Sequence, residues 1–310
     1  MAQSCIENQI PTGLVLKLCQ ISRSSFYYKP TNKDQKAGRN PSQITFLRTG
    51  GFVADAIVIA EIKELFAQEF VDYGYYKTTI FLKNSRNFVI NHKKVYRLMK
   101  ENNLLFANNR TNSTSKRQWV TQLVPDPKTE FSYFEFDIKY VYIQGKRKNA
   151  QVLTVLDVFS RWNMGQTIKW QMDYKDVITL FDSIFSQFQL PENFFVRNDN
   201  GSQFIADLVQ KYFKDKNVIQ EFTKPATPEQ NAHIESYHSI MERTICKKYQ
   251  FDDIEEARNT LERFKKFYNF ERIHSGTDYK SPYQFLLNRG TDMKNILSNF
   301  SNLKHRDFVL

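Results

Sequence analysis

The chain has 310 residues, of which 41% are hydrophobic and 25% charged, as in an ordinary water-soluble protein with room for two or three domains. No apolar run approaches the roughly 18 residues that span a bilayer, and no signal-peptide pattern opens the chain. We therefore expect a cytoplasmic protein with no membrane partner.

The net charge of +11 is unevenly spread along the chain. Residues 1–130 hold 19 Lys and Arg against 10 Asp and Glu, whereas residues 131–310 hold 25 against 23. A basic front part and a near-neutral rear part favour a polyanion-binding arm on a catalytic body. The alternative is that the excess lysine only aids solubility.

Cysteines and histidines give no metal signature. Cys5, Cys19 and Cys246 are widely scattered and form no CxxC pair, so neither a disulfide framework nor a zinc ribbon is indicated. His233 and His238 are close in sequence but have no cysteine partners, so they do not predict a zinc site.

The front of the chain reads as short helices and linkers. Residues 1–30 predict a short helical segment with a Ser-rich turn at residues 22–25. Residues 31–54 are polar and broken by Gly and Pro, which predicts a linker or mobile surface segment. Residues 55–105 carry apolar side chains at helical spacing. The helices predicted there end near Phe70, cover residues 77–83 and cover residues 91–101.

The last of these three helices is basic on one face. Lys93, Arg97 and Lys100 fall at i, i+4 and i+7, which makes one stripe. Three short helices with a basic last helix describe a helix-turn-helix module that sets cations against DNA phosphates. The alternative is a solvated face on an ordinary bundle. Residues 106–130 predict a second, basic linker, which we expect to follow a DNA backbone through Arg110, Lys116 and Arg117.

The rest of the chain predicts a mixed α/β core. Residues 134–143 alternate as a strand, with Glu135, Asp137 and Lys139 on one face. Three strands in hairpin order, then helix, strand and helix, suggest an RNase H-like α/β fold over residues 131–250. Residues 251–310 are assigned to a C-terminal helical extension. The elements predicted after the first strand are a turn at 144–149, strands at 150–158 and 163–168, a helix at 174–188, a strand at 194–196 and a helix at 253–269.

Three acidic residues occupy separate elements of this core. Asp137 lies within the first strand, Asp199 follows a strand and opens an Asn-Gly turn, and Glu235 lies where a helix starts. Taken singly, Asp199 is more often a turn former and Glu235 a solvated helical residue. Asp137 is harder to explain structurally, because Asp is disfavoured within strands.

Together the three acids suit phosphodiester chemistry. Breaking or joining DNA needs a nucleophilic oxygen, an in-line leaving oxygen and compensation of the developing charge, which two Mg²⁺ ions about 3.5–4 Å apart can supply. Mg²⁺ takes a few carboxylates and completes its shell with water and phosphate. Three carboxylates from separate elements meet that demand.

With 35 residues between Asp199 and Glu235, the chain resembles the DDE core shared by retroviral integrases and insertion-sequence transposases. The closest likeness is to the catalytic second frame of the family of insertion sequences numbered three, and it covers residues 16–285. Further motifs carry the resemblance. They are Tyr73-Gly74-Tyr75 with residues 95–99, the Asp-Asn-Gly turn at Asp199, and Tyr268-Asn269 followed by Arg272, His274 and Pro282.

The resemblance implies a magnesium-dependent DDE transposase or integrase, with an RNase H-like integrase core preceded by small all-α helix-turn-helix-like segments. It implies that Asp137, Asp199 and Glu235 are catalytic and hold two Mg²⁺ ions, for which Mn²⁺ can substitute, with Asp137 bridging both. It also implies a bacterial, nucleoid-associated enzyme that acts on double-stranded DNA as a homo-oligomer. A separate first-frame helix-turn-helix protein is a further implied partner.

Secondary candidates for DNA contact follow from the same motifs: Asn200, Gln203, Asn231, Arg243, Arg272 and His274. For Arg272 and His274, structural packing is an equal alternative, and Asp157 with Ser160-Arg161 suggests a hairpin turn. The chain departs from the family pattern at Lys139, where threonine is usual, and at Glu242, where a DNA-contacting lysine is common. Alternative functions are a DNA-binding transposition regulator without catalysis and an RNase H-like nuclease.

Overall fold

The computed structural model describes residues 2–28, 41–106, 125–224 and 227–292. The chain divides into two compact units, residues 1–43 and 44–310. The first unit holds helices α1 (Ala2–Glu7), α2 (Thr12–Leu18) and α3 (Arg23–Phe26). The Ser22 hydroxyl accepts a hydrogen bond from the Ser25 amide at 3.0 Å, so the predicted Ser-rich turn is a capped helix start.

The front of the second unit combines helices with a small sheet. Its elements are β1 (Ile44–Leu47), β2 (Phe52–Ala54), α4 (Asp55–Ala67), α5 (Tyr75–Ser85), β3 (Phe88–Val89) and α6 (His92–Glu101). The strands form an antiparallel sheet in the order β2-β1-β3. The three predicted helices are confirmed within a few residues, but the module is not all-α.

The linker predicted over residues 31–54 is wrong for residues 44–54. Gly50 and Gly51 adopt φ of 95° and 80°, a conformation that suits glycine and turns the chain between β1 and β2. Glycine spacing therefore marked a hairpin rather than a break in structure. Most of the second predicted linker, residues 107–124, lies outside the described residues.

A five-stranded sheet forms the centre of the second unit. Strands β4 (Tyr133–Ile143), β5 (Lys148–Asp157) and β6 (Asn163–Lys169) are antiparallel neighbours, and β7 (Phe195–Asn198) and β8 (Ile219–Phe222) extend the sheet in parallel. The order β6-β5-β4-β7-β8 puts β4 in the middle. This topology confirms the predicted RNase H-like fold.

Helices cover both faces of that sheet. Helix α7 (Tyr174–Gln187) connects β6 to β7, and α8 (Ser202–Ile205) and α9 (Asp207–Asp215) connect β7 to β8. Sequence analysis missed α8, α9 and β8. The chain continues through α10 (Ala232–Met241), a π-helical turn (Glu242–Cys246), α11 (Ile254–Phe270) and α12 (Pro282–Asn288). None of the helices in the described ranges is long and apolar enough to cross a membrane.

The alternation of β4 separates two apolar cores. Phe134 and Phe136, both fully buried, pack on the face that α7 covers. Val141 and Ile143 pack on the opposite face, against α10 and α11. Asp137 belongs to this second face, because residues two apart on a strand point the same way. The acid therefore lies between the sheet and α10.

Candidate active site

Strand pairing places Asp137 next to Asp199. In the parallel pair of β4 and β7, Glu135 is level with Arg197. Asp137 lies two residues further along β4, and Asp199 follows Arg197 by two residues in the chain. Since β7 ends at Asn198, Asp199 lies just beyond the strand and is exposed. Parallel register therefore brings together two acids that are 62 positions apart in sequence.

The turn after β7 is built by short side-chain contacts. Asp199 Oδ1 accepts a hydrogen bond from the Gly201 amide at 2.9 Å, and Asn200 Nδ2 donates to the Thr223 carbonyl at 2.9 Å. A Cβ at Gly201 would lie 3.0 Å from Asp199 Oδ1 and 2.4 Å from Gln203 Nε2. Glycine therefore lets the turn and its neighbours approach this closely.

Glu235 lies in the first turn of α10. It lines the same cavity of about 870 Å³ as Asp137 and Asp199. The structure thus brings the three predicted acids together around one space. The other lining residues are Asn200, Gly201, Phe222, Thr223, Lys224, Thr227 and Asn231.

The three carboxylates repel one another. The pKa of Asp137 is raised to about 7, first by burial and then by the charges of Asp199 and Glu235, against an opposing hydrogen bond from the Ile138 amide. A bound cation would relieve that repulsion, because it favours the ionised carboxylate.

The donors suit a hard divalent cation in kind, since all three are carboxylate oxygens. No group of three or more His, Cys, Asp or Glu side chains converges on one ion position within the described ranges. Mg²⁺ usually needs only one or two carboxylates, with water and substrate phosphate as its other ligands. The three acids thus line one open space and leave room for water and phosphate oxygens as further ligands.

A neutral imidazole lies beside Asp137. His238 Nδ1 is 3.5 Å from Asp137 Oδ2, and the His238 side chain is 10% exposed. Burial, and then the nearby charge of Lys139, lower the pKa of His238 to about 3. Sequence analysis gave His238 no role here, although it lies three residues after Glu235 and so on the same side of α10.

The two departures from the family pattern contact each other. Lys139 Nζ lies 2.9 Å from Glu242 Oε2, and both side chains are partly exposed. Their pairing holds β4 to the π-helical turn after α10. Sequence analysis also missed Glu135, which is fully buried and contacts the start of α10. Its position two residues before Asp137, on the same strand face, was the available signal.

The predicted DNA-contacting residues of α6 differ in availability. Lys93 and Lys100 are exposed. Arg97 Nη2 lies 3.1 Å from Asp55 and its Nη1 lies 3.1 Å from Glu101. Arg97 is thus engaged within the module. Arg110, Lys116 and Arg117 lie outside the described residues.

The remaining predicted DNA contacts fall into two groups. Asn200 and Asn231 line the acidic cavity, and Gln203 lies in α8, which follows the turn that holds Asp199 and Asn200. Arg243 binds Asp72 at 2.9 Å, and its side chain is 51% exposed. Arg272 and His274 are 3% and 7% exposed, which favours the packing alternative for both.

The Asp157 turn also has a structural explanation. Asp157 is fully buried and accepts hydrogen bonds from the amides of Phe131 and Ser160 at 3.1 and 2.8 Å. The hairpin role favoured from the sequence therefore describes it. Burial raises the pKa of Asp157 to about 6, against the opposing hydrogen bonds.

The chain matches family models of two kinds of domain. Residues 127–228 and 216–282 match models of a family described as Integrase core domain, and residues 53–111 match one described as HTH-like domain. The solved structure of the HTLV-2 integrase catalytic core domain in complex with magnesium is similar, with a TM-score of 0.41 and 13% identity. That likeness covers 52% of this chain and 99% of the viral one.

Two curated relatives are insertion-sequence proteins. The transposase for insertion sequence element IS904 of Lactococcus lactis subsp. lactis (strain IL1403) is 28% identical over 145 residues, covering 46% of this chain and 57% of that protein. The insertion element IS476 uncharacterized 39.2 kDa protein of Xanthomonas euvesicatoria is 26% identical over 208 residues, covering 66% of this chain and 58% of that protein. The matches span less than two thirds of either relative.

Proposed function

We propose that this chain is a DNA transposase of the insertion-sequence type. Its HTH-like domain precedes its integrase core domain, as the resemblance implies. One observation carries the proposal. Asp137, Asp199 and Glu235 come from three different elements and line one cavity. The reaction we assign is hydrolysis of a phosphodiester at an element end, followed by attack of the freed 3′-hydroxyl on a second phosphodiester.

Asp137, Asp199 and Glu235 would hold two Mg²⁺ ions, or Mn²⁺ in their place. Bound metal would supply an activated nucleophilic oxygen and compensation for charge on the leaving oxygen. Asp137 is the shared ligand of this proposal, because its carboxylate interacts with the charges of both other acids. His238 stays uncharged beside Asp137 and so leaves the negative charge of the site available to cations.

Polar groups around the cavity suit the phosphate backbone of the substrate. Lys224, Asn200 and Asn231 line it together with the acids. We assign to these residues the positioning of the scissile phosphate, because phosphate contacts fix the register of DNA without reading its sequence.

The HTH-like domain provides a separate DNA-binding surface. Lys93 and Lys100 are exposed on α6, with Tyr96 between them at 43% exposure. Lys94 and Arg97 instead bind Asp55, at 2.6 and 3.1 Å, which fastens α6 to the start of α4. We propose that Lys93 and Lys100 contact phosphates of double-stranded DNA.

Transposition requires two DNA ends at once, so we propose a homo-oligomer on DNA, assembled in the bacterial cytoplasm at the nucleoid. A first-frame helix-turn-helix protein is a further proposed partner.

The test of the proposed function is incubation of labelled element-end DNA with a plasmid and the purified protein in Mg²⁺. Joined product supports the transposase. Cut ends without joining would point to a nuclease, and binding without chemistry to a regulator or a missing partner.

A further inference from the structure

Three residues of β4 contact three successive turns of the α10 region. Glu135, Asp137 and Lys139 share one face of the strand. Their partners, taken along the chain, are His233 with Ile234, then His238, then Glu242. Of the three acids that we assign to catalysis, Asp137 lies on the strand side of these contacts and Glu235 on the helix side.

The first contact of the row is the most buried. The Glu135 side chain is fully buried, and its Oε2 accepts hydrogen bonds from the His233 amide at 2.9 Å and the Ile234 amide at 2.8 Å. Its Oε1 lies 2.8 Å from His233 Nδ1. All three partners belong to the first turn of α10, directly before Glu235.

Glu135 caps the start of α10 from the sheet, whereas a helix is usually capped by the residue directly before it. The first amides of a helix have no partner inside the helix and are normally satisfied by the N-cap side chain. The N-cap of α10 is Asn231, whose side chain makes no capping hydrogen bond. Glu135 supplies the acceptor instead, and a carboxylate also interacts favourably with the positive end of the helix dipole.

We propose that Glu135 is a positioning residue for the metal site, which sets the separation of the Glu235 and Asp137 carboxylates. The connection is short on both sides. Glu135 lies two residues before Asp137 on β4, and the amides it binds precede Glu235 by one and two residues. This inference rests on the proposed function, because it requires that the two acids share metal ions.

The contact at the far end of the row is weaker. Lys139 and Glu242 side chains are 28% and 37% exposed, so water screens their attraction. The buried end at Glu135 therefore determines where α10 begins relative to β4. A change in the length of the side chain at position 135, or loss of its acceptor oxygens, would shift Glu235, whereas a change in its charge alone would not.

Reach and charge can be separated by three substitutions. Glu135→Gln keeps the length and one oxygen that can accept from both amides, and its amide group can donate to His233. Glu135→Asp keeps the charge but is shorter by one methylene. Glu135→Leu fills a similar volume with an apolar side chain and leaves both amides without an acceptor. If Glu135 acts by positioning, Mn²⁺ should bind most tightly to Glu135→Gln, less tightly to Glu135→Asp and least tightly to Glu135→Leu.

The readout is Mn²⁺ binding by the full chain without DNA, measured by electron paramagnetic resonance, with folding checked by circular dichroism. Glu135→Leu should weaken Mn²⁺ binding by about 10- to 100-fold, the loss typical of residues that support metal ligands. Glu135→Gln should bind like the unchanged protein. If the Leu protein does not fold, Glu135→Asp carries the test through its intermediate loss.

Folded Asp or Leu proteins that bind Mn²⁺ as tightly as the unchanged protein would overturn the positioning role. So would a Gln protein that loses as much as the Leu protein. Asp137→Ala separates this failure from failure of the proposed function. If the unchanged protein and Asp137→Ala bind Mn²⁺ equally, the metal site itself is wrong.

Discussion

Lys139 Nζ and Glu242 Oε2 form an ion pair of 2.9 Å between the strand that carries Asp137 and the helical segment that carries Glu235. Lys139 also lowers the pKa of the Glu242 carboxyl, first through the hydrogen bond between them. The lysine ammonium is therefore paired within the protein, two residues along β4 from Asp137.

Glu242→Gln should free that charge for DNA. We expect tighter binding of double-stranded DNA, with the slope of log affinity against log salt steeper by about one phosphate contact. Affinity measured over a series of salt concentrations checks this. Glu255→Gln is the matched control, because it removes the same charge and frees Arg258 on α11. Equal changes in both variants would contradict a specific role for Lys139.

The buried pair of Asp72 and Arg272 joins the chain entering α5 to the end of α11. Their side chains are 8% and 3% exposed. Asp72→Ala should lower the free energy of unfolding by about 3–5 kcal/mol, because it leaves a buried guanidinium without its anion. Urea unfolding monitored by circular dichroism measures the loss.

The control for that prediction is the exposed pair of Glu69 and Arg263, whose side chains are 41% and 50% exposed. Glu69→Gln should cost at most about 1 kcal/mol, since surface ion pairs are screened by water. Similar losses in the two variants would mean that burial does not decide the strength of the Asp72 pair.

The Lys77 side chain should make the free energy of unfolding depend on pH. Burial, and then repulsion by Arg272, lower its pKa from 10.5 to about 8 in the folded protein. The folded state therefore binds fewer protons than the unfolded state between these two values, so this group adds stability as pH rises through that window. Below pH 8 its burial as a cation is a cost.

Lys77→Met should accordingly raise the free energy of unfolding at pH 7, by at most the about 3 kcal/mol that this lowering of the pKa represents. The gain should shrink towards pH 10.5. Urea unfolding at several pH values compares the variant with the unchanged protein. Lys77→Arg keeps its charge throughout and should lack the rise above pH 8. A constant difference between the Met variant and the unchanged protein at every pH would contradict the lowered pKa.

Gly145 is required by a close approach of the backbone. A Cβ there would lie 2.2 Å from the Asp252 carbonyl oxygen, which is main chain and cannot rotate away. Gly145→Ala should cost about 1–3 kcal/mol, as overpacking does elsewhere. Thermal unfolding compares it with Gly74→Ala, where open space surrounds the position and only a weaker helix start, at most about 1 kcal/mol, is expected. Equal losses would contradict the clash.

Local patterns predicted much of this fold. Alternation in β4 put Asp137 on the face opposite Phe136, and helical spacing located α6 within one residue of its start. The hairpin of β1 and β2 escaped because its strands are only four and three residues long and their exposed positions hold Ile44, Phe46 and Phe52, so polar and apolar residues do not alternate.

The site was predicted by residue type and order, but its supporting contacts were not. Glu135 meets His233 across 98 positions of sequence, and Arg272 meets Asp72 across 200. Such pairs depend on how α10 and α11 pack on the sheet, which no local periodicity encodes. The same packing buries Arg272 and His274, which the sequence alone left open to DNA.

The most direct test of the acidic site is joining of labelled element-end DNA to a plasmid by Asp137→Asn, Asp199→Asn and Glu235→Gln proteins, each beside the unchanged chain in Mg²⁺. These changes keep side-chain shape and remove one charge each. We expect every variant to bind the end DNA normally and to lose more joining activity than the about 100-fold typical of residues that only support a metal site. Joining at the unchanged rate by any one of the three would contradict its assignment to the catalytic site.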